Sequence, residues 1–344
     1  MSNKNRLYCC FVDYTKAFDT IDRLNLWYKL SKIGICGKLL SVIKSMYENV
    51  KTCITVDGFY SDFFQNQVGL MQGEAISPIL FAIYVNDCEM EFLNNCCQPV
   101  ELKELSLFLL MYADDMVIFS DTIKGLQDML NTLYCYTEQW KLCANINKTK
   151  IAVFRKGGIV KENEKWFYND VQVDVVDKFT YLGVILNFYR KFYVAQKNVA
   201  QQGGKAMFAL FRNIKPYYFN ICTMLSLFDT YISSVLCYGC EVWGFHKSPE
   251  IERVHIEYCK RILNVKTCTP NVMTYYELAR YPIFVTRKIR IFKYWLKLMN
   301  TDNCILNGCY NYLYDIMCLK NPNDTNNWVC CVRNELCRID LNNL

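Results

Sequence analysis

The sequence predicts an α+β fold in two successive parts: a strand-rich part to about residue 188, then an almost wholly helical part. Three observations carry this. Short apolar runs rich in Val, Ile, Cys and Phe, bounded by turn residues, recur at 7–12, 107–120, 151–154, 171–175 and 179–186. Amphipathic stretches at helical spacing lie between them, and from Tyr189 onward the helical pattern is nearly continuous. At 344 residues, 52% hydrophobic and 21% charged, the chain can bury a large core and reads as two or three compact units. The expected divisions are 1–188, a helical 189–300 and a Cys-rich extension, 301–344.

The elements follow in order. Residues 7–12 are a buried strand that ends at Asp13. Between Asp22 and Val50, Leu24, Trp27, Leu30, Leu39, Val42, Ile43 and Met46 recur at helical spacing, and Gly34 and Gly37 divide them into two helices. A hairpin turns at Asp57-Gly58, a dipeptide that tolerates positive φ. After the Gly-containing loop QVGLMQGEAISP, Pro78 suits a first helical turn with Ser77 as its cap, and the helix 79–93 is expected to be largely buried. Two short strands flank Ala113-Asp114-Asp115, and an amphipathic helix covers about 122–143. In the second part, breaks are expected at Gly203-Gly204, Pro216, Gly244 to Pro249, Pro270 and Pro282.

Composition narrows the function classes only a little. Thirty-nine Lys+Arg against 33 Asp+Glu leave a formal +6, which permits a polyanionic partner without requiring one. The opening MSNKNRLYCCFVDYTK has no apolar leader segment, so the twenty cysteines are expected to be reduced, small buried hydrophobes. Cys304, Cys309, Cys318, Cys330, Cys331 and Cys337 contain no Cys-x-x-Cys, and His246 and His255 lie far upstream, so zinc is not expected there. No apolar run approaches the ~20 residues of a membrane-spanning helix, which predicts a soluble, intracellular protein with no membrane partner.

The sharpest feature is LFLLMYADDMVIFS, 107–120, where Asp114 and Asp115 interrupt an apolar run. Adjacent carboxylates repel, and burying them unpaired costs several kcal/mol, so a turn at the sheet's rim with a cation or solvent nearby is the natural placement. Mg²⁺ suits such a site, because it takes oxygen ligands and is usually held by one or two carboxylates plus substrate phosphates. Asp13 ends a second apolar strand. Were the two strands neighbours, Asp13 and Asp114 would clamp two metals about 3.5–4 Å apart, the arrangement of phosphoryl transfer. Taken singly, a solvated hairpin turn and a helix-capping aspartate explain these residues as well.

In order along the chain, FVDYTKAFDTIDR, NQVGLMQGEAISPILF, LLMYADDMVIF, NINKTKIAVF and FTYLGVIL resemble the palm motifs of reverse transcriptases of non-LTR (LINE-type) retrotransposons. LCYGCEVWG and ERVHIEYCKRILNVKTCTPNVMTYYEL resemble the C-terminal patterns of the same group. The resemblance implies a polymerase palm, an antiparallel sheet backed by helices, followed by a mainly helical thumb and a C-terminal extension.

It also implies roles. Asp13 and Asp114 would hold two Mg²⁺ ions, with Mn²⁺ able to substitute, and Asp115 would support them. Phe18 matches the aromatic gate that excludes a ribose 2′-hydroxyl; by itself it is an ordinary core residue. Gln72 and Gly73 match the loop facing template and incoming nucleotide, with Glu74 a departure from the small or Cys residue often found next. Lys148 matches the lysine that assists the pyrophosphate leaving group, and a solvated lysine is its plain alternative. Phe179, Tyr181, Leu182 and Gly183 match the primer grip. Arg290, Lys293 and Lys297 share a helix face that could follow phosphates or simply be solvated.

The partners so implied are an RNA template, a DNA primer and a dNTP, in the nucleus, although no Lys/Arg-rich cluster marks a localisation signal. Only twelve residues precede Asp13, so the chain is expected to begin inside the palm, without fingers, and to polymerise weakly or not at all. Two functions stay open on sequence: an RNA-directed DNA polymerase, and a non-catalytic remnant that grips nucleic acid.

Overall fold

Each apolar run that the sequence marks as a strand forms one. The computed structural model describes residues 6–155, 157–187, 192–320 and 327–340. The chain divides into two compact units, residues 1–101 with 106–182, and residues 102–105 with 183–344.

The first unit is built on a six-stranded sheet of β1 (Arg6–Val12), β2 (Leu109–Tyr112), β3 (Asp115–Ser120), β4 (Lys150–Arg155), β5 (Trp166–Tyr168) and β6 (Val171–Val176). Its spatial order is β5-β6-β4-β1-β3-β2. β1 is central, pairing antiparallel with β4 on one side and β3 on the other. Burial on both faces explains its unbroken apolar run: Cys9, Cys10, Phe11 and Val12 are all buried. The first charge after the run, Asp13, falls at the sheet's end.

The β2–β3 and β5–β6 pairs are also antiparallel, as expected, whereas β4 and β6 run parallel. Residues 156–170 contain β5, and a connection of that length returns the chain in its original direction, as parallel pairing requires. β5 was not visible in the sequence pattern, and Trp166 is fully buried with its indole Nε1 donating to the carbonyl of Ile123 at 2.9 Å.

Helices Arg23–Lys32, Gly37–Glu48 and Ile123–Gln139 form where expected, the last capped by Thr122, whose side chain accepts from the amide of Gly125. The expected single helix at 79–93 is two, Ser77–Val85 and Cys88–Asn94. Ser77 is not the cap but the first helical residue, and its hydroxyl donates to the carbonyl of Met71 at 2.6 Å. The interruption places Asp87 beside Lys29. The Lys29 ammonium, 3% exposed, donates to Asp87 Oδ1 at 2.6 Å, the Tyr84 carbonyl at 2.5 Å and the Tyr136 hydroxyl at 3.0 Å. It also lies 3.6 Å from the Trp140 ring centroid. Of the apolar residues that mark the first two of these helices, Leu30 and Ile43 join Leu26 and Tyr47 in the core, whereas Leu24, Leu39, Val42 and Met46 remain exposed.

The second unit is helical, as its pattern predicts. The expected break at Gly203-Gly204 does not occur: one helix runs from Tyr193 to Asn213. Gly203 serves packing there, since a Cβ would lie 2.3 Å from Leu236 Cδ2. The prolines behave as punctuation, Pro249 opening the helix Pro249–Ile262 and Pro282 preceding Ile283–Met299. On that last helix Lys293 and Lys297 are exposed and Arg290 is half-buried. Arg287 is fully buried, donating to the His246 carbonyl at 3.2 Å. None of the twenty cysteines is in a disulfide, and only eight are buried where all were expected to be; among the described residues no group of three His, Cys, Asp or Glu is arranged to enclose an ion. No helix among the described residues is long and apolar enough to cross a membrane.

His255 gives this unit a pH signature. Its ring is 2% exposed, stacked on Phe228 at 4.7 Å and against Tyr275 at 5.2 Å, and burial, reinforced by Arg280 and opposed by Asp229, lowers its pKa to about 4. The unfolded chain titrates near 6.5, so between those values the unfolded state binds more protons and stability falls as pH falls. From pH 7 to pH 5 the loss expected from His255 alone is about 2 kcal/mol. Urea unfolding at both pH values checks it: His255→Leu should flatten that part of the profile, and an unchanged slope would show that the imidazole is not the responsible group.

Candidate active site

The rim of the sheet brings the sequence's aspartates together. Val12 pairs with Met116 across β1–β3, so the next residue, Asp13, leaves the sheet at the end where β3 begins with Asp115. Tyr112 pairs with Asp115, which makes Ala113-Asp114 a two-residue hairpin turn. Ala113 takes a left-handed φ of 53°, a conformation that costs an L-residue roughly 1–2 kcal/mol. Strain of this kind persists where the surroundings impose it, and here it holds Asp114 at the tip, exposed.

Asp13 is clamped by its backbone. Its carbonyl accepts from the amide of Asn145 at 2.7 Å and its amide donates to Thr149 Oγ1 at 3.2 Å, while the Thr15 amide donates to the Cys143 carbonyl at 2.7 Å. Its carboxylate is left open. Asp13 Oδ2 is shielded from solvent and accepts no hydrogen bond; Lys148 Nζ stands 3.7 Å away, an ion pair at best. Lys148 is itself largely exposed, in a turn closed by bonds from the Lys148 and Thr149 amides to the Asn145 carbonyl. Partial desolvation first, then the charges of Asp114 and Asp13, raise the Asp115 pKa from its ordinary value. Three carboxylates thus share one electrostatic neighbourhood.

Of the other sequence-marked residues, Tyr181 feels the charge of Asp115, and the rest are placed by their own neighbours. Phe18 is half-buried and leans on Phe81, ring centroids 4.9 Å apart. Gln72 is exposed, and its Nε2 donates to Asp19 Oδ1 at 2.8 Å. Gly73 has a φ of 93° with open space where a Cβ would be, so it leaves the loop's surface bare. Glu74 is half-buried, with Oε2 shielded and without a hydrogen bond. Phe179 stacks on Phe11 at 4.3 Å and Tyr181 tilts against the same ring at 5.3 Å. Burial raises the Tyr181 pKa and the charge of Asp115 adds to it, which ties this strand to the carboxylate end of the sheet. Leu182 and Gly183 both have positive φ, 46° and 76°, as a tight two-residue turn demands.

Sequence reasoning missed four contributors. Asn145 and Thr149 stand in NINKTKIAVF with no role marked by the sequence, although an Asn and a Thr four residues apart before a strand are ordinary turn-formers. Asp19 and Arg23 stood in FDTIDR with no sign of the loop that they hold.

Residues 1–186 match the family model described as reverse transcriptase (RNA-dependent DNA polymerase). The chain is 23% identical over 292 residues to the RNA-directed DNA polymerase from mobile element jockey of Drosophila melanogaster, a match covering 77% of this chain and 29% of that protein. It is 28% identical over 126 residues to the Pol polyprotein from the type-2 retrotransposable element R2DM of Drosophila melanogaster, covering 36% and 12%. The chain therefore spans less than a third of the length of these curated relatives. A solved apo telomerase from Candida tropicalis, truncated from its C-terminal domain, superposes loosely, with a TM-score of 0.40, 19% identity and coverage of 54% of this chain and 34% of that one.

Proposed function

The chain belongs to the reverse transcriptase (RNA-dependent DNA polymerase) family, and on that footing we propose that its first unit is a palm that extends a DNA primer on an RNA template by nucleotidyl transfer. The second unit is read as thumb and extension, and the reaction's place as the nucleus. The observation that carries the reading is the meeting of Asp13 and Asp114 at one end of the β1–β3–β2 hairpin arrangement.

The donor set fits Mg²⁺, or Mn²⁺ in its place. Asp13 Oδ2 has no hydrogen-bond donor, Asp114 is exposed at a strained turn, and both are hard oxygen ligands of the kind that Mg²⁺ takes. Asp13 and Asp114 would hold two ions, and Asp115 would add negative charge beside them. Two such ions, when bound, lower the pKa of an attacking hydroxyl and neutralise charge on the leaving oxygen.

The remaining groups bind and orient. Lys148 presents its ammonium to the same rim, where it would hold a proton against a departing pyrophosphate oxygen. Phe18, braced by Phe81, would close the space that a 2′-hydroxyl needs. Gln72 and the bare backbone of Gly73 would face the base pair being formed. Phe179 and Tyr181, packed on Phe11, with the turn Leu182-Gly183, would support the primer's 3′ end.

Primer extension on poly(rA)/oligo(dT) with dTTP and Mg²⁺ tests the reading. Extension is expected, and Phe18→Val should raise use of UTP relative to dTTP on the order of 10²-fold, because the steric exclusion is then removed. Duplex binding without extension would instead identify a nucleic-acid-binding protein.

A further inference from the structure

The loop that carries Gln72 and Gly73 is hung on the segment that carries Phe18. Leu70 donates its amide to the Phe18 carbonyl at 2.7 Å and Gly69 to the Ile21 carbonyl at 2.8 Å. Gly69 approaches so closely that a Cβ would lie 2.6 Å from the Asp19 carbonyl oxygen, and its φ of 81° already excludes most side chains. Arg23 completes the attachment with one guanidinium: Nε donates to the Gly69 carbonyl at 3.0 Å, Nη1 to Asn66 at 2.7 Å and Tyr47 at 3.0 Å, and Nη2 to Val68 at 3.3 Å. Four carbonyls, three of them from the loop's approach between Asn66 and Gly69, converge on a fork that lysine's single ammonium cannot reproduce.

At the loop's tip the side chain of Gln72 is exposed, and an exposed amide is free to rotate and to flip. Asp19 removes that freedom. A carboxylate only accepts, so the 2.8 Å bond from Gln72 Nε2 to Asp19 Oδ1 orients the amide with its NH₂ toward Asp19 and its carbonyl oxygen away.

Resting on the polymerase reading above, we propose that Asp19 and Arg23 are positioning residues of the nucleotide pocket: Arg23 fixes the distance between the Phe18 segment and the Gln72 loop, and Asp19 fixes which end of the Gln72 amide faces the nucleotide. Asp19 acts through the Gln72 amide, and Arg23 through the loop backbone at Asn66, Val68 and Gly69. The pocket's sugar side and base side then move as one body, and a nucleotide meets an amide already oriented.

The test measures dTTP binding to the full chain on a poly(rA)/oligo(dT) duplex whose primer ends in a dideoxynucleotide, so that no chemistry intervenes, alongside extension on the unblocked primer. Asp19→Ala is expected to raise the dTTP Kd about tenfold and Asp19→Asn less, because asparagine accepts the same bond but no longer dictates the flip. Primer–template affinity should stay unchanged. Arg23→Lys should speed hydrogen exchange at the Gly69 and Leu70 amides about tenfold or more while exchange in β1 and β4 stays as in wild type. If wild type binds dTTP and Asp19→Ala binds it equally well, the role of Asp19 is overturned and the polymerase reading survives. Unchanged exchange at Gly69 and Leu70 in Arg23→Lys overturns the role of Arg23. If wild type binds no dTTP at all, the polymerase reading falls and takes the proposal with it.

Discussion

Asp114→Asn should reduce the rate of primer extension by on the order of 10³-fold or more while leaving primer–template affinity within about threefold of wild type. The substitution removes one negative oxygen at the hairpin tip and adds an amide of nearly equal size. It disturbs no packing, since Asp114 is exposed and the β2–β3 pairing is backbone. Folding should be untouched or slightly favoured, because one member of a repelling set of carboxylates is gone. Asp13→Asn should lose activity to the same extent; its backbone clamps to Asn145 and Thr149 do not involve the carboxylate. Single-turnover extension, with thermal unfolding as the control for folding, makes the comparison. Activity that survives both substitutions would remove the paired-carboxylate mechanism altogether.

The second large effect concerns stability. Asp87→Ala should destabilise the first unit by about 3 kcal/mol, because it leaves the Lys29 ammonium buried without its counter-charge. Burial already lowers the Lys29 pKa, and Asp87 opposes that shift. Lys29→Met should cost much less, within about 1 kcal/mol, as an apolar chain of similar length fills the space among Tyr84, Tyr136 and Trp140. The Tyr136 hydroxyl then continues to donate its one proton to Asp87 at 2.7 Å. Urea midpoints of the two variants decide the matter. Equal losses would mean that the ammonium itself, and not the hazard of leaving it unpaired, stabilises the fold.

The two cases differ in how far they were legible beforehand. Asp13, Asp114 and Asp115 announce themselves because each interrupts or ends an apolar run, and carboxylates in such places need a reason. The Lys29 cluster gave no such sign: a lysine on an amphipathic helix looks solvated until a break at Asn86-Asp87, 57 residues on by number in the case of Asn86, turns a carboxylate toward it. Gly203 misled for a related reason. Helix propensity counts against glycine, yet close approach of Leu236 requires it, and that neighbour is distant in sequence.

Sequence by itself determined the class of the fold, the strands that form the middle of the sheet, the prolines that punctuate the helices and the acidic residues at the sheet's rim. These follow from local periodicity, turn chemistry and the cost of burying charge, which neighbours in the chain suffice to express. Tertiary structure alone decided that β6 runs parallel to β4, that Arg23 gathers three carbonyls from the loop before Gln72 and a fourth from Tyr47, that Gln72 donates to Asp19, and that Asn145 and Thr149 clamp Asp13. Each of those is a hydrogen bond between segments far apart in sequence. A polar side chain carries no mark of which distant partner it will meet, so such bonds become visible only once the apolar core has brought the segments together.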